Sequence, residues 1–221
     1  MRVAVAEIFH SIQGESSQAG WPCTFIRLAG CRHGCRDCDT VYAEQPGTEM
    51  DLERIIEKVD QIGAPLVEIT GGEPLLQHAV YPLMEKLCDR GKETVLLETG
   101  GFLSVARVDT RVHKIIDLKP PSSGVCEKNH PENIELALRQ KTGVNRSIEI
   151  KIVIADRGDY LWARTLLERT GLAEACTVTI GTVFGRLDPK HLARWLLEDH
   201  LRVRMQLQLH KYIWQPDTRG V

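Results

Sequence analysis

The chain has 221 residues, 43% hydrophobic and 26% charged, the balance of a globular protein long enough to bury its own core. Its 28 basic and 30 acidic side chains leave a net charge of -2, so no basic footprint argues for bulk nucleic-acid binding, and no apolar run approaches the ~20 residues of a membrane span. The opening MRVAVAEIFHSIQGE turns polar too early for a signal peptide, and an odd seven cysteines argue against a disulfide scaffold, so a cytoplasmic protein is expected.

In chain order, strand-like runs alternate with helix-like ones. Short runs mostly rich in Val, Ile and Leu predict strands at Val3–Phe9, Thr24–Leu28, Leu66–Thr70, Thr94–Glu98, Lys114–Leu118, Ile148–Ile154, Thr177–Ile180 and Val203–Leu209. Between them, Leu52, Ile55, Ile56, Val59 and Ile62 recur at helical spacing, with Asp51 as the expected N-cap and Gly63 just past the end. Further helices are expected from about Gln77 to Arg90, from Pro131 to about Gln140, from Asp159 to Arg169, and from Asp188-Pro189 onward. The stretch between Gly101 and His113 has room only for a short helix or a loop. Such alternation implies a mainly parallel sheet, doubly wound or barrel-like. The units fall short of the ~250 residues typical of a full eight-unit barrel. The expected fold is therefore α/β, a partial, open barrel of about six units. It has an N-terminal strand, a C-terminal tail over the active-site face, and residues 1–221 in a single domain.

The most informative stretch is Cys31-Arg-His-Gly-Cys35-Arg-Asp-Cys38, directly after a predicted strand. Three thiols at this spacing can converge on one metal centre and leave a coordination position without a local protein ligand. A 4Fe–4S cluster held this way keeps an iron open to a further ligand. The alternative is structural zinc, completed by His33 or by Cys23. Cys88, Cys126 and Cys176 belong to no such pattern and read as ordinary core or surface thiols.

The Cx3Cx2C spacing early in a βα-repeat chain resembles the radical S-adenosylmethionine superfamily, and Gly71-Gly72-Glu73-Pro74 after the Leu66–Thr70 strand agrees with it. Ser11–Glu15, Gly20–Pro22, Phe25–Arg27, Gly30-Cys31, Cys38–Thr40, Asp117–Gly124 and His210–Val221 narrow the likeness to the 7-carboxy-7-deazaguanine synthase family. Two positions depart from the pattern: Asp37 stands where an aromatic residue usually precedes the third cysteine, and Ser16 where the family often has glycine.

The resemblance implies conversion of 6-carboxy-5,6,7,8-tetrahydropterin to 7-carboxy-7-deazaguanine with loss of ammonia, on the route to queuosine-type 7-deazapurines. It implies a cluster that cleaves S-adenosylmethionine to a 5′-deoxyadenosyl radical, which removes an unactivated hydrogen that no side chain can take. Cys31, Cys35 and Cys38 would hold the cluster. Gly72 and Glu73 would face the methionine moiety, while Asp37, Cys38, Asp39, Asp117, Leu118, Lys119 and Ser123 match positions near S-adenosylmethionine. Ile12, Gln13 and Gly14 match the substrate loop, Thr70 and Pro216 match substrate contacts, and Thr40 matches a Mg²⁺ ligand. Arg27 presents the donor fork that suits a substrate carboxylate. An electron donor such as flavodoxin or ferredoxin, and a homodimer, are implied in the same way.

One observation is independent of the family. Gly30–Cys38, Thr70–Glu73, Glu98–Gly101, Asp117–Lys119, Gly181 and His210-Lys211 all follow predicted strands, and in a parallel barrel those ends share the face that carries active sites. The tail after the last strand would emerge on that face, with Ile213 and Trp214 buried in the open seam as a lid. Competing functions are a glycyl-radical enzyme activase, which has no need of Ser11–Glu15 or the tail, and a zinc-stabilised binding module.

Overall fold

A computed structural model describes residues 1–140 and 147–221. Strand β1 (Arg2–Ile12) pairs antiparallel with β2 (Pro22–Leu28) on one side and with β3 (Thr48–Asp51) on the other. From β2 the sheet continues in parallel through β4 (Leu66–Gly71), β5 (Thr94–Thr99), β6 (His113–Asp117), β7 (Ile148–Ile154), β8 (Thr177–Thr182) and β9 (Arg204–Gln206). The order β3-β1-β2-β4-β5-β6-β7-β8-β9 has two free edges, so the sheet is curled but not closed. Among the described residues no helix is long and apolar enough to cross a membrane.

Helices cover the outer face: α1 (Leu52–Ile62), α2 (Val80–Arg90), α3 (Pro131–Arg139), α4 (Arg157–Thr170), the single turn α5 (Leu172–Ala175) and α6 (Pro189–Glu198). Alternate strand residues such as Val67, Ile69, Leu97, Ile116, Ile150 and Ile152 point outward and pack against Leu52, Ile55, Leu83, Leu87, Tyr160 and Leu167 of those helices. The inward set at the opening of the strands is a small apolar layer of Cys23, Phe25, Leu66, Leu96 and Ile115. Two residues further along each strand the inward positions turn polar: Arg27, Glu68, Glu98 and Asp117, with Lys151 on β7. Period-two alternation therefore separates an oily outer face from a charged interior.

Every predicted strand is present, and the differences have local causes. Strand β3 lacks an apolar run because it is an edge, held to β1 by backbone pairing from Arg2 to Val5. Asp51 does not cap α1 with its side chain; its carboxylate pairs with Arg2 instead. Helix α2 starts at Val80 rather than Gln77, because the Gln77 amide is drawn away to Ala4 and to the Ala29 carbonyl. The expected last strand Val203–Leu209 shortens to Arg204–Gln206, and the chain then turns into one helical turn, α7 (His210–Ile213). The tail does not bury as expected: Ile213 is 54% exposed and Trp214 only half-buried.

Candidate active site

The curled sheet encloses a cavity of about 690 Å³ that opens at the carboxyl ends of the parallel strands. Its floor is the loop after β1, closed on itself by Gln13 N–H to the Trp21 carbonyl and Gly20 N–H to the Gln13 carbonyl, both 2.8 Å. The loop reaches across to β9, where the Gln206 amide donates to the Ser16 carbonyl at 3.4 Å. Leu209 N–H donates to the Gly14 carbonyl at 3.0 Å, and a Cβ on Gly14 would come within 2.4 Å of the His210 ring, so glycine lets loop and tail meet without displacing that ring. Glu149, buried on β7, accepts from Ser17 N–H at 3.1 Å and so ties the loop's far side to the sheet. Ser16 sits between with φ of 64°, in the left-handed region, which is the physical reason a glycine suits this position.

The cysteine loop leaves β2 at the top of the cavity, and Cys31, Cys35 and Cys38 all line it, half-buried and unpaired. It is anchored from several sides. Arg36 N–H donates to the Ser123 carbonyl at 2.9 Å, Lys128 Nζ to the His33 carbonyl at 2.8 Å, and Lys211 pairs with Asp39 at 2.9 Å. Asp37, in place of the usual aromatic residue, forms an ion pair with Arg186 at 2.6 Å. The tandem glycine after β4 has its explanation here: a Cβ on Gly71 would lie 2.2 Å from the Leu28 carbonyl oxygen, and one on Gly72 2.4 Å from that of Gly30 and 2.7 Å from the Cys31 Cβ. The obstruction is thus to packing against the cysteine loop.

The thiols fit a cluster better than a single ion. The three thiols line one cavity, and a cluster takes each thiolate at a different iron. Neither candidate fourth zinc ligand lines the cavity: the His33 ring stacks on Phe102 at 3.8 Å, and Cys23 is fully buried in the inner apolar layer. Burial pushes the Cys31 and Cys35 thiols up, so a compensating positive charge is needed to hold them as thiolates.

Of the other expected residues, Asp37, Asp39, Thr40, Gly72, Asp117, Lys119, Ser123, Ile12, Gln13, Gly14, Arg27, Thr70 and Pro216 all line the cavity. Two do not. Leu118 is fully buried in the outer core, leaving only its backbone near the site. Glu73 is buried and accepts from Thr99 Oγ1 at 2.7 Å, Gly100 N–H at 3.0 Å and Leu75 N–H at 3.2 Å, which ties the loop after β4 to the end of β5. Thr40 precedes a 3-10 turn, yet its hydroxyl makes no cap bond and lies 3.8 Å from the Cys38 sulfur. Both ends of the Gln13 amide are engaged, Oε1 by Glu15 N–H and Nε2 by Glu68, which ties the floor loop to β4. Arg27 gives its Nε to Glu7 at 2.9 Å, Glu7 also accepts from Tyr42 O–H at 2.6 Å, and Arg219 of the tail stacks on Tyr42 at 4.1 Å.

What sequence reasoning missed is the interior charge. Lys151, 5% exposed, lies 2.5 Å from Glu98, 3.0 Å from Glu15 and 3.9 Å from Asp117, which pairs with Lys119 at 2.8 Å. Burial alone would lower Lys151, but these carboxylates raise it well above the usual lysine range. Burial pushes Glu68 up, and neighbouring Glu98 pushes it further. The signal was available: Glu68 within Leu66–Thr70, and Glu149 and Lys151 within Ile148–Ile154, are charges in otherwise largely apolar runs and must find partners inside.

The Radical SAM superfamily profile matches residues 25–121. A 7-carboxy-7-deazaguanine synthase from Chlorobaculum tepidum is 58% identical over 98% of this chain and 96% of its own, and one from Koribacter versatilis is 41% identical over 98% and 99%. In fold, the chain is similar to the crystal structure of QueE from Escherichia coli, with TM-score 0.76, 21% identity and 95% of each chain covered. With thiols, tandem glycine and cavity in one place, and relatives this similar along nearly its whole length, the chain belongs to the 7-carboxy-7-deazaguanine synthase family of the radical S-adenosylmethionine superfamily.

Proposed function

We propose that the 221 residues act as one radical S-adenosylmethionine domain. It contracts the ring of 6-carboxy-5,6,7,8-tetrahydropterin to 7-carboxy-7-deazaguanine and releases ammonia. The observation that carries this reading is that Cys31, Cys35 and Cys38 share one cavity with Arg27, Thr70 and the floor loop, which brings cluster and substrate positions within a single chamber. When bound, the 4Fe–4S cluster and S-adenosylmethionine supply the radical that removes hydrogen from an unactivated carbon.

The chain's own residues do the rest. Cys31, Cys35 and Cys38 hold the cluster, with Asp37–Asp39, Gly72, Asp117, Lys119, Ser123 and the backbone at Leu118 about the nucleoside. Arg27, oriented by Glu7, receives the substrate carboxylate, and its remaining donors suit a bidentate grip. Ile12, Gln13, Gly14, Thr70 and Pro216 frame the pterin. The uncapped Thr40 hydroxyl is an oxygen donor of the kind Mg²⁺ takes alongside substrate and water. Exposed Arg32, Arg36 and Lys128 on the cysteine segment and beside it suit an acidic electron donor such as flavodoxin or ferredoxin. We place the enzyme in the cytoplasm as a homodimer.

The test is anaerobic reconstitution with iron and sulfide, followed by S-adenosylmethionine, dithionite and the carboxypterin. The expected result is a brown protein with about four irons per chain that forms 7-carboxy-7-deazaguanine with ammonia. Stoichiometric zinc without iron overturns the reading.

A further inference from the structure

The chamber wall at Tyr42 carries more positive charge than its paired acid balances. Arg27 and Arg219 both line the cavity and both lie over the Tyr42 ring, with guanidinium carbons 6.0 Å and 4.1 Å from its centroid. Phe9 adjoins the same two segments: the Arg27 carbon is 5.7 Å from its ring, and a Cβ on Gly220 would lie 4.0 Å from the Phe9 Cβ. Against the two cations stands Glu7, which already accepts from Arg27 Nε at 2.9 Å and Tyr42 O–H at 2.6 Å. Of the other cavity-lining acids, Asp37 is taken by Arg186 and Asp39 by Lys211; among the described residues no carboxylate pairs with Arg219. The tail's own bonds bring Arg219 to this wall. Leu209 N–H holds the tail to Gly14, Thr218 N–H donates to the Gln215 carbonyl at 2.9 Å and turns the chain back, and Gly220 continues it in the left-handed region at φ of 72°.

From this arrangement we propose that Arg219 is a second binding residue for the substrate carboxylate, carried by the tail and closing on the same group that Arg27 receives. The inference rests on the ring-contraction reading, which supplies a pterin with one carboxylate. A guanidinium lying over a ring uses its face there and keeps its in-plane N–H donors free, and a carboxylate offers two oxygens to such forks. Two forks against one aromatic seat, with a single counter-charge between them, suit one planar anion. The pairing also sets what Arg219 can and cannot do. Substrate and product both keep the carboxylate through ring contraction, so a grip on it binds ground state and transition state alike and acts on KM rather than kcat. Its effect is selection of the carboxylated pterin over pterins without that group. Because Arg219 is exposed at the mouth, its share is smaller than that of the more enclosed Arg27.

Arg219→Gln removes the charge and the fork but keeps a polar side chain of similar reach. Anaerobic holoenzyme with S-adenosylmethionine and no reductant is titrated calorimetrically with 6-carboxy-5,6,7,8-tetrahydropterin and, separately, with 6-methyl-5,6,7,8-tetrahydropterin. R219Q should bind the carboxypterin about 10-fold more weakly, the scale of one charged hydrogen bond, and the methylpterin as the wild type does. Its KM should rise by a similar factor with kcat little changed, and iron content, melting temperature and S-adenosylmethionine affinity should match the wild type. Arg219→Lys, which keeps the charge without the fork, should recover part of the carboxypterin affinity and leave the methylpterin unaffected. Wild-type carboxypterin affinity in R219Q overturns the proposal. So does a loss shared equally by both pterins, or one that falls on S-adenosylmethionine or on iron content, since each makes Arg219 a prop for the pocket or a contact of the other carboxylate ligand. Wild-type enzyme that makes no ring-contracted product once reductant is added overturns the parent reading instead, a result visible before any variant is made.

Discussion

Replacing Lys151 with methionine, of similar reach but no charge, removes the cation at the centre of the chamber. Its Nζ lies 2.5 Å from Glu98 and 3.0 Å from Glu15, at a residue 5% exposed, so water cannot take its place without rearrangement. Breaking a buried pair by deleting one partner costs about 3–5 kcal/mol. For a domain of this size each kcal/mol shifts the melting temperature by about 2–4 °C, so K151M should melt roughly 6–20 °C lower at neutral pH. The pH dependence has a definite sign. In the wild type, burial pushes Glu98 up but Lys151 more than offsets it, leaving the carboxyl below its ordinary value. Such a group adds stability above its unfolded pKa of about 4.3, and this is lost as pH falls through the folded value. In the variant, Glu98 and Glu15 stay buried without that cation, so both destabilise the fold at neutral pH and take up protons as pH falls. The gap between the proteins is therefore widest near pH 7 and narrows toward about pH 5. Scanning calorimetry of the two anaerobic proteins across that range checks this. Equal melting temperatures at neutral pH, or a deficit that ignores pH, would refute the view that Lys151 neutralises the floor.

Alanine at Cys31, Cys35 or Cys38 should abolish iron binding on reconstitution, measured by iron and sulfide content, while Cys88→Ala should not. Arg27→Ala should weaken carboxypterin affinity tens- to hundreds-fold, about 2–4 kcal/mol for a desolvated charge-assisted pair, with S-adenosylmethionine cleavage in the absence of substrate little changed; unaltered affinity by titration removes Arg27 from the pocket. Thr40→Val keeps the volume but loses the hydroxyl, so its turnover should respond less to added Mg²⁺; equal response of both proteins makes Thr40 a plain loop residue. A chain ending at Leu209 loses Pro216–Val221 from the cavity wall and Arg219 from Tyr42, so it should keep its iron yet release deoxyadenosine with little ring contraction, and normal product yield would show that the tail is packaging.

The architecture was legible because its signals are repetitive. Buried parallel strands read as Val/Ile/Leu runs, and α1 runs from Leu52 to Ile62 as its spacing predicts, ended by Gly63 in the left-handed conformation. The ligand loop was legible because three thiols in eight residues have few other uses. Placement of individual side chains was less so. Glu73 sits in the expected motif, but whether its carboxylate faces ligand or the Thr99–Gly100 turn depends on β5, which lies some 25 residues away in the chain. The tail was misjudged from hydrophobicity alone: Ile213 and Tyr212 stay exposed because α7 rests on loop contacts at Gly14 and Asp39, through Leu209 and Lys211. The floor was missed because a lone glutamate in a strand reads as a solvent-facing residue until both faces are known to be covered.

The open seam and the charged interior have one cause. A closed eight-stranded barrel fills its own interior with side chains and leaves no chamber. Here the sheet stops at β9, three residues long, and the first strand is reversed, so the turn after β1 lies at the seam and can fold inward. That inward loop brings the Glu15 carboxylate to Lys151 and the Gln13 amide to Glu68. Without it, Lys151 would lose one of its carboxylates and Glu68 its amide donor, each a buried polar group stripped of a partner at about 1–3 kcal/mol. The Glu15–Lys151 contact thus anchors the loop and balances the charge of the floor at once. Opening the barrel supplies the volume, and the segment that enters through the opening makes a charged interior tolerable.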